Sequence, residues 1–270
     1  QTGVNVTYYE TQADADNATN EIFSPYTNIV INTQTVYVRL EDATTGCYNT
    51  TTLELVVNPL PVAVAPTPLE VCDDDNDGFA SFTLTLKDAE VLGGQTGMTV
   101  TYHETQSDAD NGVNALSSPY NNIVPNTQTV YVRLEDDTSG CHDTVELTLL
   151  VNPLPTIGAI TPYELCDYNN PGDEQETFDL TTKDAEIING QVNVAVSYYE
   201  TQADAEAGVN AITVPYINQT NPQTLYVALT NTITNCASVS SFELVVNPLP
   251  ALVVPTPLEV CDDNVPDGIT

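Results

Sequence analysis

The stretch QTGVNVTYYETQADADNATN at residues 1–20 returns as QTGMTVTYHETQSDADNGVN at residues 95–114 and as GQVNVAVSYYETQADAEAGVN at residues 190–210. Residues 1–61 align with residues 95–155 without a gap and are identical at 42 of 61 positions. The period is therefore 94 to 95 residues. A period of this length corresponds to a whole domain per repeat rather than to one turn of a solenoid.

Domain boundaries follow from this period. The chain is interpreted as a window in a longer array, because it opens midway through one repeat and closes at the start of another. The segments are the C-terminal part of a repeat at 1–61, complete repeats at 62–155 and 156–250, and the start of the next repeat at 251–270. The first three segments end in NPLP, whose two prolines fix φ and favour extended backbone. We therefore expect stiff junctions and an elongated rod of domains.

Alternating apolar residues within each repeat predict β-strands. In TVYVRLE (129–135), the alternate positions Val130, Val132 and Leu134 are predicted to face a core, with Arg133 on the opposite, solvent side. Thr, Asn, Val and Tyr dominate the composition, which favours β-structure over helix. About seven such strands in each repeat of about 95 residues, with Asn, Gly and Pro in the turns, predict an all-β fold of antiparallel β-sandwiches.

The segment SFTLTLKDAEVLGG (81–94) combines two patterns. Its first six residues alternate, and we predict a strand that buries Phe82, Leu84 and Leu86. The following KDAEVL has the composition of one helical turn, which Gly93 is predicted to end.

Charge limits the classes of partner. The sequence holds 38 Asp and Glu residues against four basic ones (Arg39, Lys87, Arg133 and Lys183), for a formal net charge of −34. A phosphate-binding surface needs clustered Lys and Arg, so nucleic acid is excluded as a partner and an anionic membrane surface is disfavoured. No apolar run reaches 18 residues, so no membrane span is predicted.

Six cysteines, none in a CxxC pair, indicate an oxidising compartment and disulfide bonds. Pairing within each repeat, Cys72 with Cys141 and Cys166 with Cys236, is the favoured interpretation. Two alternatives remain open. Cysteines 25 residues apart, such as Cys141 and Cys166, would tie one domain to the next, and Cys72 with Cys236 would bridge a domain junction.

The heptapeptide CDDDNDG (72–78) is a candidate calcium loop. Asp73, Asp75 and Asp77 before Gly78 spell D-x-D-x-D-G, the first half of an EF-hand loop, but Leu84 stands where the bidentate Glu would close the site. The other copies keep part of the pattern at Asp167, Asn169, Asp262 and Asn264. A structural calcium ion is the predicted cofactor, and a hydrated turn is the alternative.

Catalytic residues are not preserved between the repeats. His103 is replaced by Tyr9 and Tyr199 in the other copies, and His142 by Tyr48 and Ala237. A repeated enzyme would keep its reactive groups in each copy, and no nucleophile–His–acid constellation or HExxH motif is present. We expect this segment to be non-enzymatic.

The succession CDxDxDG, FxLT, YYET, YVR, GC and VVNPLP resembles tandem immunoglobulin-like repeats in large cell-surface proteins of Bacteroidetes, which include gliding-motility adhesins and other substrates of the type IX secretion system. The resemblance covers the whole chain. It implies immunoglobulin-like domains, an extracellular location at the cell surface, and a role in adhesion or gliding.

We therefore expect a structural spacer of a long extracellular adhesin or filament. Neighbouring repeats of the same chain are its direct partners, and surface polysaccharide or another cell-surface ligand binds to parts outside this segment. Two alternatives are a glycan-binding module and the stalk of a large secreted polysaccharide-degrading enzyme.

Overall fold

The structure, a computed structural model, describes residues 3–261. This part of the chain divides into two compact units. One unit comprises residues 3–71 and 78–151, and the other comprises Cys72–Asp77 together with residues 152–261. The hexapeptide Cys72–Asp77 therefore belongs to the second unit, although both of its neighbours in sequence belong to the first.

The elements recur from repeat to repeat. The first segment contains β1 (Val4–Tyr9), α1 (Gln12–Asn17), β2 (Thr33–Asp42) and β3 (Tyr48–Val56). The second repeat contains β4 (Leu69–Cys72), β5 (Ser81–Phe82), a 3₁₀ turn (Leu84–Lys87), α2 (Asp88–Leu92), β6 (Met98–His103), α3 (Gln106–Asn111), β7 (Tyr120–Asn121), β8 (Thr127–Asp136) and β9 (His142–Asn152). The third repeat contains β10 (Tyr163–Cys166), β11 (Thr177–Phe178), a 3₁₀ turn (Leu180–Lys183), α4 (Asp184–Ile188), β12 (Val194–Tyr199), α5 (Gln202–Ala207), β13 (Tyr216–Ile217), β14 (Gln223–Asn231) and β15 (Ala237–Asn247).

Each complete repeat is a two-layered β-domain. A four-stranded sheet of order β10-β15-β14-β12 faces a short two-stranded sheet of β11 and β13, and the second repeat has the same arrangement, β4-β9-β8-β6 with β5-β7. The pairs β12–β14 and β14–β15 are antiparallel, whereas β10 runs parallel to β15. Residues 3–61 contribute the three-stranded sheet β1-β2-β3. The predicted tandem array of β-domains is confirmed as a mostly β structure, and the parallel pair of β10 and β15 differs from the antiparallel sheet that the sequence predicted.

The core lies between these layers. Val130, Val132 and Leu134 of β8 are completely buried, as their alternation predicted. The prediction for Arg133 was wrong, because its side chain is buried rather than in water. Its guanidinium Nη1 donates to the carbonyl oxygens of Ala109 and Asp110 at the C-terminal end of α3, where the last carbonyls of a helix lack the full set of helical donors.

The strand predicted for residues 81–86 is shorter than expected. Phe82 and Leu84 are completely buried, but the chain turns into the 3₁₀ helix after β5, and Leu86 is 68% exposed. A 3₁₀ turn has three residues per turn, so residues two apart no longer share a face. The helical turn α2 was predicted correctly, and it ends at Gly93 in the left-handed conformation, with φ of 53°.

Three short helices, α1, α3 and α5, were missed. Each begins at a Thr whose side chain accepts a hydrogen bond from the backbone N–H of an Asp three residues later, and the caps are Thr11, Thr105 and Thr201. This spacing of Thr and an acidic residue resembles a capping box, and it was visible in the sequence as TQxD.

The linkers after the first and second NPLP segments are each tied to the domain that follows. Lys87 Nζ donates to Thr67 Oγ1 at 2.7 Å and forms an ion pair with Glu90 at 2.8 Å, and Glu90 also accepts the backbone N–H of Thr67. The same three contacts recur in the third repeat with Thr161, Lys183 and Glu186. These linkers are therefore held by side chains as well as by their prolines.

Candidate functional site: the disulfide and the acidic loops

A disulfide bond joins Cys72 to Cys236, with an S–S distance of 2.05 Å and a Cα–Cα distance of 5.5 Å. Cys72 is the last residue of β4, and Cys236 lies in the turn before β15, where it is 1% exposed. The two residues are 164 apart in sequence. Because Cys72 comes from the second repeat and Cys236 from the third, the bond covalently joins consecutive repeats.

The favoured pairing within each repeat was wrong, and the open alternative of Cys72 with Cys236 is the one observed. The reason is the parallel pairing of the first and last strands. Cys166 lies opposite Asn247 at the end of β15, whereas Cys236 precedes the start of the same strand. An 11-residue strand spans roughly 35 Å, and a disulfide requires Cα atoms within about 7 Å.

Residues 72–77 are held in the second unit by more than the disulfide. The backbone N–H of Asp73 donates to Asn152 O at 2.8 Å, and the backbone N–H of Leu154 donates to Asn76 Oδ1 at 3.3 Å. Beside the bond lies an open cleft of about 570 Å³, lined by residues that include Cys72, Asp73, Asp74, Gln202, Glu206 and Ser238. The cleft is thus acidic and contains one half of the disulfide.

The other cysteines repeat these two positions. Cys166 ends β10 as Cys72 ends β4, and Cys141 precedes β9 as Cys236 precedes β15. Cys47 precedes β3 in the same way. Cys47, Cys141, Cys166 and Cys261 are free thiols among residues 3–261. Each complete repeat therefore carries one cysteine of each kind, and the observed bond uses the first kind from one repeat and the second kind from the next.

The acidic loop after Cys72 brings together a different set of carboxylates from the predicted one. Carboxylate oxygens of Asp73, Asp74 and Asp75 lie within 4.8 Å of one another. Among the described residues, these three form a group that could hold a metal ion. Asp77 is not part of it; its backbone N–H donates to Asp73 and Asp75. Desolvation and the neighbouring charges of Asp77 and Asp74 raise the pKa of Asp75. Asp74 and Asp75 are exposed, as in many acidic turns that bind no ion.

The corresponding loop of the third repeat buries a different pair of carboxylates. Asp167 is 2% exposed, and its Oδ2 accepts the backbone N–H of Gly172 at 2.6 Å. Glu176, 7% exposed, accepts the backbone N–H groups of Tyr168 and Asn169 at 2.6 and 2.8 Å. The predicted ligands Asp167 and Asn169 thus lie in one loop with Glu176, which the sequence pattern did not include.

The remaining predicted ligands, Asp262 and Asn264, lie outside the described residues. His103 is completely buried, with Nδ1 2.7 Å from the carbonyl oxygen of Val113 and Nε2 2.9 Å from Thr101 Oγ1. Both ring nitrogens therefore have partners within the domain, which is the arrangement of a structural histidine.

One polar set was not recognised from the sequence. In each copy a Tyr hydroxyl donates to a Glu sixteen residues earlier and accepts from a Gln side chain, and the tyrosines are Tyr26, Tyr120 and Tyr216. The signal for it was the recurrence of all three residue types at matching places in every repeat. In the complete repeats these contacts tie β7 or β13, which holds the Tyr, to the Gln of β8 or β14 and to the Glu in the turn after β6 or β12.

The fold and the disulfide define a class of extracellular β-proteins made of tandem domains that are covalently joined in sequence. The chain matches the family described as the Flavobacterium inter-domain disulphide bond domain three times, over residues 1–61, 68–155 and 162–250. The chain belongs to this family. No curated protein matches the sequence. No helix of the described residues is long and apolar enough to cross a membrane.

Solved structures with a similar course of the chain have low overall similarity. The match to titin domains I67–I69 covers 92% of this chain and 89% of the titin chain, with 9% sequence identity and a TM-score of 0.30. The match to Drosophila N-cadherin EC1–4 covers 92% of this chain and 67% of the cadherin chain, with 12% identity and a TM-score of 0.23. The match to the sialic acid binding region of a Streptococcus sanguinis adhesin covers 91% of this chain and 65% of the adhesin chain, with 16% identity and a TM-score of 0.24. Similarity at this level carries no inference about function.

Proposed function

We propose that this chain is a non-enzymatic, load-bearing spacer in a cell-surface adhesin or filament that serves adhesion or gliding motility. The observation that carries the proposal is the bond between Cys72 and Cys236, because it joins one repeat to the next at positions that both complete repeats possess. In this proposal surface polysaccharide or another ligand binds elsewhere in the full protein, and export through the type IX system delivers it to the surface.

A covalent bond between repeats changes how tension passes along the chain. When residues 3 and 261 are pulled apart, force passes from Cys72 directly to Cys236 through the sulfur atoms. The residues between them, spanning a sequence separation of 164, carry no tension and cannot be extended. At about 3.4 Å per extended residue this removes roughly 550 Å of extensible length. A spacer with this bond keeps its length under load.

The same scheme extends to an array. In a chain with a further repeat, Cys166 would bond to the cysteine that precedes the last strand of that repeat, as Cys72 bonds to Cys236. The closed loops would overlap, because Cys166 lies between Cys72 and Cys236. Every repeat would then be protected from extension by a bond to a neighbour.

Charge supports a role outside the cell that requires separated chains. The four basic residues are each paired with a Glu, at N–O distances of 2.5 to 3.1 Å. The excess of 34 negative charges therefore has no compensating cation in the protein. Such a charge keeps long proteins soluble and opposes association between copies.

Single-molecule force spectroscopy tests the proposal directly. The 270-residue chain is pulled by its termini, oxidised or after reduction, with Cys72→Ala/Cys236→Ala as the variant without the bond and Cys141→Ala as the matched control. We expect reduction or the double variant to add roughly 550 Å of contour length, and Cys141→Ala to behave as the oxidised protein. Equal contour lengths for oxidised and reduced protein would refute the load-bearing role of the bond.

Location and cellular role are tested in the source cells. Antibodies against residues 62–250 should label the outside of intact cells, and deletion of these repeats should reduce surface attachment or gliding while leaving secreted enzyme activities unchanged. Loss of a polysaccharide-degrading activity instead would support the alternative of an enzyme stalk.

A further inference from the structure

One carboxylate oxygen in the third repeat is buried without a partner. Asp167 is 2% exposed, and its Oδ1 accepts no hydrogen bond from any described residue. The sister oxygen Oδ2 accepts the backbone N–H of Gly172, five residues further along the loop. That contact crosses the loop, so the carboxyl group of Asp167 is held against the loop backbone while its Oδ1 stays buried without a partner.

The loop has negative charge but no cation of its own. Asp167 and Glu176 are both more than nine-tenths buried, and Glu176 accepts hydrogen bonds from the backbone N–H groups of Tyr168 and Asn169. All four basic side chains of the protein form ion pairs with other glutamates. Buried carboxylates are normally paired with a cation or fully hydrogen-bonded, and Asp167 is neither.

We propose that the loop between Cys166 and Thr177 binds a hard divalent cation of the calcium class, with Asp167 Oδ1 as its charged ligand. Calcium takes oxygen ligands from carboxylates, amide side chains, backbone carbonyls and water. Asn169, in the same loop, offers an amide oxygen as a second side-chain ligand, because its amide nitrogen already donates to Glu176. With one carboxylate ligand the site is weak, in the range of about 10⁻⁴–10⁻³ M that is common for extracellular modules.

The equivalent aspartate of the second repeat has a hydrogen-bonded Oδ1, which makes it a matched control. Asp73 is 3% exposed, but its Oδ1 accepts the backbone N–H groups of Asn76 and Asp77, at 2.8 and 3.3 Å. Those hydrogen bonds satisfy the oxygen that is left without a partner in Asp167. The two loops therefore differ in the one feature on which the proposal rests.

Terbium luminescence and calcium competition test the site on the oxidised 270-residue chain. Tyr168 adjoins Asp167 in sequence and can sensitise bound terbium. We expect saturable binding that calcium displaces at constant ionic strength, at least tenfold weaker binding in Asp167→Asn, and binding within twofold of the wild type in Asp73→Asn. Loss in Asp73→Asn with retention in Asp167→Asn would place the ion at Asp73–Asp75 and overturn the proposal.

A second measurement does not depend on the folding of a variant. Hydrogen exchange of the wild-type protein is followed with calcium and with chelator. Calcium should slow exchange severalfold in peptides covering residues 163–178 and leave residues 69–82 unchanged. Equal exchange in both conditions would mean that water rather than a cation satisfies Asp167, and the proposal would fail.

Discussion

Removing the disulfide should destabilise the second unit by several kilocalories per mole and leave the first unit almost unchanged. The perturbation is the double variant Cys72→Ala/Cys236→Ala, which avoids a lone thiol that could pair with Cys47 or Cys141. Alanine is preferred to serine because Cys236 is 1% exposed, and a buried hydroxyl without a partner would add its own cost.

The magnitude follows from the loop that the bond closes in the unfolded chain. If both units unfold, the closed loop corresponds to the sequence separation of 164 residues, and chain entropy gives about 5 kcal/mol. If only the second unit unfolds, residues 69–71 of β4 stay paired with β9 in the first unit, which keeps Cys72 near Asn152. The free loop then runs from Asn152 to Cys236, about 84 residues, and the contribution is about 4.5 kcal/mol.

Hydrogen exchange with mass spectrometry distinguishes the two units. A loss of about 4.5 kcal/mol accelerates exchange through unfolding roughly a thousandfold, and we expect this in the peptides of β14 and β15. Peptides of β8 and β9 should change by less than tenfold, and Cys141→Ala should leave both regions unchanged. A change below about 1 kcal/mol in β14 and β15 would refute the loop-closure reasoning.

Three further predictions concern charge and packing. The hydrogen bond from Lys87 lowers the pKa of Glu90 from 4.5 to about 2. The ionised Glu90 therefore contributes its full stabilisation above pH 4.5, and this contribution is lost as the pH falls toward 2. The melting temperature of Glu90→Gln should accordingly depend less on pH in this range than that of the wild type. Raising the salt concentration from about 0.01 to 0.3 M should raise the melting temperature, because the Debye length falls from about 30 Å to under 10 Å and the self-repulsion of 34 excess negative charges is screened. A lower melting temperature at high salt would contradict this explanation. Gly158→Ala should destabilise the second unit by about 1–3 kcal/mol in urea unfolding, because the new Cβ would lie against the carbonyl oxygen of Glu186, whereas Ala63→Gly in the first unit should leave the second unit unchanged.

The sequence determined the features that depend on neighbours along the chain. Alternation identified the buried residues of β8, the glycine after α2 marked the end of a helical turn, and the repeat indicated a domain of about 95 residues. These features depend on local geometry, in which a period of two or a residue able to adopt positive φ has the same meaning in any protein. The Thr-x-x-Asp caps of the three missed helices were equally local and were available to be read.

Only the tertiary structure decided which cysteines meet and where Arg133 lies. Cys236 has Cys72 and Cys166 as candidate partners, and the choice depends on a parallel strand pair that places Cys166 at the far end of β15. Arg133 is buried because helix carbonyls 24 residues away accept its hydrogen bonds. The unpartnered Asp167 Oδ1 and the bonded Asp73 Oδ1 likewise occupy equivalent places in sequence. In each case the deciding distance joins atoms whose separation along the chain carries no information about their separation in space.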